Sequence, residues 1–439
     1  MNTKLSACRS FLYLLLTSAL LLACDSVSTE GSGKTEGASP NVEEKALSER
    51  PSQPDKTDPS DLPRDLRPAF QQPETWAFAE SAALTCRDGS STGIGVRLQE
   101  DETPSRRGGP FNLNNYSDDL VIFLEGGGAC FNPFTCSQNR PSFSEEQFFS
   151  DEFIGGYSGI FDESRPANPV ADWNFVYVPY CTGDEHAGST ENGSVPPLDL
   201  RAIGGTVLPG LDNQKFVGYD NVGRVLGYID RHLDKDYDRV LLTGASAGGV
   251  GALANSRQVA AAFPNAEVTL LNDSGPVFYD NSILPVALQQ KWRSIWDLSE
   301  ALPPGAEGND VIQEIYGDVA STPPGAALGR ISYRRDATIR FFYSFGRALR
   351  DRACTRALYG GLLEGRRTTC IDGDAYENAL EELRGQLPKP WTTFYTSVPN
   401  PELHTFLRSE RFYEAEADGQ PLSAWTQDLV EEGSPPPRP

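Results

Sequence analysis

The stretch LLTGASAGGVGALAN, from Leu241 to Asn255, holds one serine whose nearest neighbours on both sides are glycine or alanine. The residues from Gly244 to Gly248 fit the pattern G-x-S-x-G around Ser246, between a β-like run and a helix-like run. That context predicts a nucleophile elbow, a tight turn that exposes the serine hydroxyl between a strand and a helix. Larger neighbours would collide with the adjacent strand and helix. The alternative is that the small residues only let a helix pack closely on a sheet.

Short β-like runs alternate with helix-like runs along the rest of the chain. Strands are predicted at 120–124, 175–178, 239–243, 267–271 and 391–395, and helices at 219–233 and 250–263. This alternation predicts βαβ units and a mostly parallel sheet flanked by helices. Right-handed crossovers then bring the loops after the strands to one edge of the sheet. We predict an α/β-hydrolase-like fold, a single domain with insertions, over residues 71–432.

A serine hydroxyl is a weak nucleophile and needs a base beside it. The chain has three histidines, His186, His232 and His404. His404 follows the last predicted strand, where an α/β-hydrolase carries its base. His186 lies in a loop that could border a site, and His232 ends a charged helix and is expected at the surface. We therefore predict that His404 is the base.

Three aspartates compete for the acidic position. In the α/β-hydrolase order the acid follows the penultimate strand, and Asp336 follows the short run 330–333 that fits this place. Asp273 follows the strand after the elbow and could instead brace the elbow loop. Asp310 has the setting of a helix N-cap. The two arginines directly before Asp336 could compete with His404 for its carboxylate. Asp336 is the predicted acid, with Asp273 as the alternative.

A run of three glycines, Gly126 to Gly128, follows the predicted strand 120–124. It resembles an oxyanion loop, in which backbone N–H groups point at a developing negative charge. The alternative is a tight turn held by a disulfide. The run lacks the G-x-x-x-x-G-K layout of a phosphate loop. The chain also has no CxxC pair that would suggest a metal site. We expect neither a metal nor an organic cofactor.

The chain is strongly acidic, with 38 Lys and Arg residues against 61 Asp and Glu residues and a formal net charge of −23. Nucleic-acid binding requires clustered basic residues, so such a composition argues against a nucleic-acid partner.

The first 23 residues have the pattern of a secretory signal, with basic residues before a short apolar run. The ending Leu21-Leu-Ala-Cys24 resembles a bacterial lipobox, so we expect acylation of Cys24 and an extracytoplasmic, membrane-anchored lipoprotein. The alternative is an ordinary signal peptide with a chance cysteine. Residues 24–70 are polar and acidic and are expected to form a disordered tether. Residues 433–439 are expected to form a flexible tail.

Six cysteines remain when Cys8 and Cys24 are set aside. An even number in an exported chain suggests three disulfides, with fifteen possible pairings. Proximity in the sequence favours Cys130–Cys136 and Cys354–Cys370, which leaves Cys86–Cys181.

Taken together, these segments resemble the pectinacetylesterase/Notum family of serine hydrolases over about residues 86–406. The stretches that carry the resemblance are 124–131 (LEGGGACF), 173–184 (WNFVYVPYCTGD), 244–249 (GASAGG), 271–275 (LNDSG) and 404–406 (HTF). The resemblance implies that Ser246 is the nucleophile and His404 the base. It also implies an oxyanion hole made by the N–H groups of Gly127, Gly128 and Ala247. The family's acid follows a later strand, which Asp336 fits loosely.

The animal branch of the family carries an aromatic pair where this chain has Gly128 and Ala129. That difference favours a small acyl group over a long one. We therefore expect a serine esterase that hydrolyses acetyl or other short-acyl esters, on a polysaccharide or similar extracellular substrate. A polysaccharide-binding lipoprotein without activity, and an amidase with the same triad, are the alternatives.

Overall fold

The structure is a computed structural model that describes residues 65–72, 74–100, 112–150, 156–233, 235–306, 311–321 and 327–431. The predicted signal segment, Cys24, most of the predicted tether, Asp310 and the predicted tail lie outside these residues.

The strands in chain order are β1 (Ala77–Thr85), β2 (Ser91–Arg97), β3 (Asp119–Leu124), β4 (Asn174–Val178), β5 (Thr190–Val195), β6 (Leu198–Asp199), β7 (Val207–Leu208), β8 (Leu211–Phe216), β9 (Arg239–Ala245), β10 (Glu267–Asp273), β11 (Leu328–Tyr333), β12 (Trp391–Thr396), β13 (Glu416–Ala417) and β14 (Gln420–Pro421).

The α-helices in chain order are α1 (Arg67–Gln71), α2 (Pro133–Ser137), α3 (Glu145–Phe148), α4 (Gly218–His232), α5 (Ala247–Ala262), α6 (Val286–Trp296), α7 (Val311–Ala320), α8 (Ala337–Ala348), α9 (Arg352–Leu363), α10 (Gly373–Gln386), α11 (Arg411–Glu414) and α12 (Leu422–Glu431).

Eight strands form the central sheet in the order β1-β2-β4-β3-β9-β10-β11-β12. The six strands from β4 to β12 are parallel, and β1 and β2 run antiparallel at one edge. The prediction of a mostly parallel sheet flanked by helices is therefore confirmed. The antiparallel edge was not predicted, since β1 has an irregular alternation of buried and exposed residues.

Both faces of the sheet are covered, as a parallel sheet requires. Alternate residues of β3 belong to two apolar clusters: Leu120 and Ile122 face one cluster, while Val121 and Phe123 face the other. Helices α4 and α5 cover the first face, and α12 covers the second. Every residue of β4 and β12 is buried, although β12 carries three threonines among its aromatic residues.

The six remaining cysteines form three disulfides, Cys86–Cys181, Cys130–Cys136 and Cys354–Cys370. The pairing favoured by sequence proximity is therefore confirmed. Two of the bonds fix segments close to the predicted oxyanion loop, because Cys130 follows that loop directly and Cys181 follows β4.

The folded region begins before residue 71. Leu66, Ala69 and Phe70 are buried in the first apolar cluster, around the short helix α1. Their burial places the last residues of the expected tether against the core. None of the helices that the structure describes is both long enough and apolar enough to cross a bilayer.

Candidate active site

Ser246 lies between the end of β9 and the start of α5, with φ 60° and ψ −118°. A non-glycine residue avoids this conformation unless its surroundings enforce it. The Ser246 N–H donates to the carbonyl of Asp273 (2.7 Å), at the end of the neighbouring strand β10. The serine side chain is half-buried. The predicted strand–serine–helix turn is present at these residues.

The glycines around Ser246 are required by close backbone contacts. A Cβ atom on Gly244 would lie 2.4 Å from the carbonyl oxygen of Gly248, and one on Gly248 would lie 1.9 Å from that of Leu124. On the facing loop, a Cβ atom on Gly126 would lie 2.2 Å from the carbonyl oxygen of Ala245. Three backbone segments therefore meet without intervening side chains.

The glycine loop after β3 is fixed through its carbonyl groups. The Gly127 carbonyl accepts from Asn139 Nδ2 (3.0 Å), and the Gly128 carbonyl accepts from the Tyr180 hydroxyl (2.9 Å). Among the described residues, no hydrogen bond uses the N–H of Gly127 or Gly128, or that of Ala247 at the start of α5. These three predicted oxyanion donors are thus held by rigid backbone and remain available.

Glu125 anchors the same loop from its buried end. Its Oε2 accepts the backbone N–H of Tyr180 (2.8 Å), and its other oxygen pairs with Arg140. Burial raises the pKa of Glu125, and the Arg140 guanidinium opposes that rise. Glu125 was not predicted as a site residue, although a carboxylate between a buried strand and three glycines is an unusual sequence feature.

His186 supports the glycine loop through its ring. Its Nε2 donates to the Glu125 carbonyl (2.8 Å), and its ring lies against Tyr180, with 4.8 Å between the centroids. Burial lowers the pKa of His186 to about 4, so the imidazole is neutral at pH 7. The third histidine, His232, is half-buried at the end of α4 with its ring 4.7 Å from that of Tyr228.

His404 and Asp336 are in direct contact. Nδ1 of His404 lies 2.7 Å from Oδ2 of Asp336, which is fully buried. The other carboxylate oxygen accepts the backbone N–H groups of Thr338 and Ile339, so Asp336 is also the N-cap of α8. These bonds fix the carboxylate, and the carboxylate fixes the imidazole.

The two arginines before Asp336 do not compete for it. Arg334 pairs with Glu377 and Glu381, and Arg335 pairs with Asp374 and Glu377, all on α10. Neither arginine therefore competes with His404 for the Asp336 carboxylate, although the sequence had suggested that they could.

Asp273 connects the serine turn to the histidine loop. Its carbonyl accepts the Ser246 N–H, and its Oδ2 accepts the backbone N–H groups of Phe406 (2.8 Å) and Leu407 (3.0 Å). The adjacent Ser274 hydroxyl accepts the N–H of Thr405 (3.2 Å). Asp273 therefore has the bracing position that was the alternative to a catalytic role.

Unusual backbone conformations concentrate at this edge of the sheet. Nine non-glycine residues that the structure describes have positive φ angles. Five of them follow the carboxyl ends of parallel strands in the site loops: Glu185, His186, Ser246, Ser274 and Thr405. Such strain persists where surrounding structure enforces it, which is common at functional sites.

An aromatic ring from α8 lies over the glycine loop. A Cβ atom on Gly128 would lie 2.8 Å from the ring of Phe342, which is half-buried. The space beside Gly128 is therefore partly filled by a residue distant in the sequence. Within the described ranges, no group of three or more His, Cys, Asp and Glu side chains is placed to hold a metal ion.

Comparison with solved structures supports the fold. The Wnt deacylase Notum from Drosophila has a TM-score of 0.52 to this chain at 15% identity, covering 82% of this chain and 94% of that one. This likeness, together with the sheet, establishes a Notum-like α/β-hydrolase fold.

Two curated relatives extend the comparison to sequence. Palmitoleoyl-protein carboxylesterase NOTUM of Schmidtea mediterranea is 31% identical over 189 residues, which are 40% of this chain and 29% of that protein. The chain thus spans less than a third of that relative. Inactive palmitoleoyl-protein carboxylesterase notum1b of Danio rerio is 30% identical over 132 residues, which are 29% of this chain and 79% of that protein.

A family model described as pectinacetylesterase matches residues 78–302, which include the glycine loop, the Ser246 turn and Asp273. This match covers just over half of the chain, and the chain therefore belongs to the pectinacetylesterase family.

Proposed function

We propose that this protein is a serine esterase that hydrolyses short-acyl carboxylic esters. The observation that carries the proposal is the Asp336–His404 hydrogen bond at the sheet edge where the strained Ser246 emerges. A binding protein has no need of a buried carboxylate that orients an imidazole, nor of a strained serine. The names of the NOTUM relatives, which are carboxylesterases, point to the same chemistry.

Ser246 is the nucleophile in this proposal. Its Oγ attacks the ester carbonyl carbon while His404 Nε2 takes the hydroxyl proton, which gives a tetrahedral intermediate with a negatively charged oxygen. Asp336 holds the imidazole in the tautomer that presents a free Nε2, and then stabilises the imidazolium. The intermediate collapses, and the alcohol leaves with the proton from His404. Water then attacks the acyl-serine by the same route and releases the acid.

The N–H groups of Gly127, Gly128 and Ala247 are the proposed oxyanion donors. Their positions are preset by hydrogen bonds to the loop carbonyls and by the start of α5, where unpaired N–H groups favour negative charge. A preset donor stabilises the transition state without reorganisation, and one such donor is worth about 2.7–4 kcal/mol.

The acyl group is proposed to be acetyl or similarly short. Gly128 and Ala129 supply no bulk to wall a long pocket, and the Phe342 ring takes up the space beside Gly128. We further propose an acetylated polysaccharide or similar extracellular ester as the substrate. The three disulfides fit an oxidising compartment.

Hydrolysis assays distinguish this proposal from its alternatives. Wild-type protein should release p-nitrophenol from p-nitrophenyl acetate, and Ser246→Ala should not exceed the rate in buffer. No turnover by the wild type would favour a binding protein, and one relative is itself named as inactive. Faster cleavage of p-nitroacetanilide than of the ester would favour an amidase.

The lipid anchor is a separate proposal with its own experiment. Cys24→Ser should abolish incorporation of radiolabelled palmitate and release the protein from membranes after a salt wash. Retention of the variant on washed membranes would contradict acylation at Cys24.

A further inference from the structure

Three polar side chains share one face of the sheet between β11 and β12. Arg330 is paired in register with Thr393, and Tyr395 lies two residues further along β12. In a parallel pair, residues in register point to the same face, and so do residues two apart on one strand. We call Arg330, Thr393 and Tyr395 the Arg330 cluster. Each is buried, with relative exposures of 0%, 0% and 1%.

None of the hydrogen-bonding atoms at the ends of these side chains has a partner. Nε, Nη1 and Nη2 of Arg330, Oγ1 of Thr393 and the hydroxyl of Tyr395 make no hydrogen bond within the part of the chain that the structure describes. Buried polar atoms are nearly always satisfied, and a buried charge without a partner is far more costly than a neutral group. Three unpartnered guanidinium nitrogens and two unpartnered hydroxyl groups on one face of the sheet therefore indicate a bound species.

The surroundings of Arg330 are aromatic. Its guanidinium carbon lies 5.9 Å from the centroid of Phe278 and 5.6 Å from that of Tyr395. A second guanidinium, that of Arg384, lies 4.4 Å from the same Tyr395 ring. Cation–π contacts offset part of the cost of burial but leave the positive charge in place.

Asp336 and Glu381 are already paired with other bases. Asp336 holds His404, and Glu381 pairs with Arg334 and Arg384. A tyrosinate does not supply the missing charge either, since burial raises the pKa of Tyr395 to about 12. The Tyr395 hydroxyl is therefore a neutral donor and acceptor at pH 7.

We propose that the Arg330 cluster binds a small monovalent anion of the size and charge of chloride. The guanidinium supplies the charge and N–H donors on three nitrogens, while Thr393 and Tyr395 can donate hydroxyl protons. A water molecule would satisfy the hydroxyl groups but would leave the guanidinium without a counter-charge.

The site has a structural consequence that does not depend on the proposed esterase reaction. Arg330 lies on β11, which leads directly into Asp336, and Tyr395 lies on β12, which precedes the His404 loop. An anion that binds the folded chain alone stabilises it in proportion to the logarithm of anion concentration. Chloride is thus expected to stabilise the two strands that carry the acid and the histidine.

Crystallography with bromide in place of chloride tests the site directly. Diffraction data at the bromine edge should show an anomalous peak between the Arg330 guanidinium and the Tyr395 hydroxyl. Ordered water without a peak at saturating bromide would overturn the proposal.

Thermal unfolding provides a second test in solution. In sodium chloride and sodium gluconate mixtures of constant ionic strength, Tm should rise by about 2 °C for each tenfold increase in chloride above the Kd. Arg330→Met should remove this dependence, and the exposed Arg350→Met should keep it. If Arg330→Met does not fold, Thr393→Val with Tyr395→Phe should weaken the dependence. An unchanged dependence in the variant that folds would contradict the proposal.

Discussion

Nδ1 of His404 lies 2.7 Å from Oδ2 of Asp336, although the two residues are 68 positions apart in the sequence. The contact forms because β11 and β12 are parallel neighbours, so the loops that follow them meet at one edge. Asp336 reaches His404 with one oxygen while its other oxygen caps α8. We therefore propose Asp336 as the orienting acid of the triad, while Asp273 holds the histidine loop through backbone hydrogen bonds.

Asp336→Asn is therefore expected to keep the fold and lose activity. The amide oxygen can still cap α8, whereas the amide cannot stabilise an imidazolium, so kcat should fall on the order of 10⁴-fold. Circular dichroism and p-nitrophenyl acetate kinetics measure the two effects. Asp273→Asn is the matched control, with a far smaller fall in kcat and a lower Tm. The reverse ranking of the two variants would assign the acid to Asp273.

Phe342 is expected to set the limit on acyl length. Wild-type kcat/KM should fall from acetyl to octanoyl p-nitrophenyl esters, because the ring fills the space beside Gly128. Phe342→Ala should raise kcat/KM for butanoyl and hexanoyl esters relative to acetyl by about tenfold or more, as one methylene is worth about 1–3 kcal/mol in a fitted pocket. The neighbouring Phe341→Ala serves as a control. A wild-type kcat/KM that rises steadily with chain length would exclude the short-acyl assignment.

The backbone strain at Ser246 should lower the free energy of unfolding by a measurable amount. Glycine adopts φ 60° with ψ −118° at little cost, so Ser246→Gly should be more stable than the wild type by about 1 kcal/mol or more. Ser246→Ala removes the same hydroxyl but keeps the strained Cβ. Urea unfolding of the three proteins separates the effects. A Ser246→Ala variant as stable as Ser246→Gly would show that the turn is not strained.

The pH dependence of stability should report on Glu185. Burial raises the pKa of Glu185 to about 8, and the nearby Asp184 carboxylate adds to the rise. The folded chain therefore holds a proton that the unfolded chain releases near pH 4.3, so stability is lost as pH rises through this window to about 8. Glu185→Gln cannot titrate and should lose less stability than the wild type between pH 5 and pH 8.5.

The difference in the free energy of unfolding between Glu185→Gln and the wild type isolates the titration of Glu185. Burial also raises the pKa of Asp184 to about 6 and lowers that of His186 to about 4, but both groups remain in Glu185→Gln. The free energy of unfolding of the variant minus that of the wild type should grow by more than about 1.4 kcal/mol across the range. The exposed Glu146→Gln should show no such trend. Parallel curves for Glu185→Gln and the wild type would disprove the assignment.

Local patterns in the sequence were enough to predict the features that depend on neighbours in the chain. The elbow at Ser246 follows from small residues between a strand and a helix, and the short-range disulfides follow from spacing. Strand order then placed Asp336 near the last loop, and the sheet has that order at β11 and β12.

The features that were missed depend on contacts between distant segments. Glu125 is anchored by Tyr180, 55 residues away. Bracing by Asp273 was considered, but its partner Phe406, 133 residues away, was not predicted. Phe342 reaches Gly128 only because α8 crosses the glycine loop. No periodicity or spacing in one sequence encodes such pairs, because they are fixed by how the completed sheet brings its loops together.

The central claim is that Ser246 becomes covalently acylated. Incubation with a biotinylated fluorophosphonate, followed by tryptic peptide mapping, tests it most directly. We predict a single adduct on Ser246, lost in Ser246→Ala and formed much more slowly in His404→Ala. A folded wild-type protein that takes up no label, or that carries it on another residue, would contradict the account.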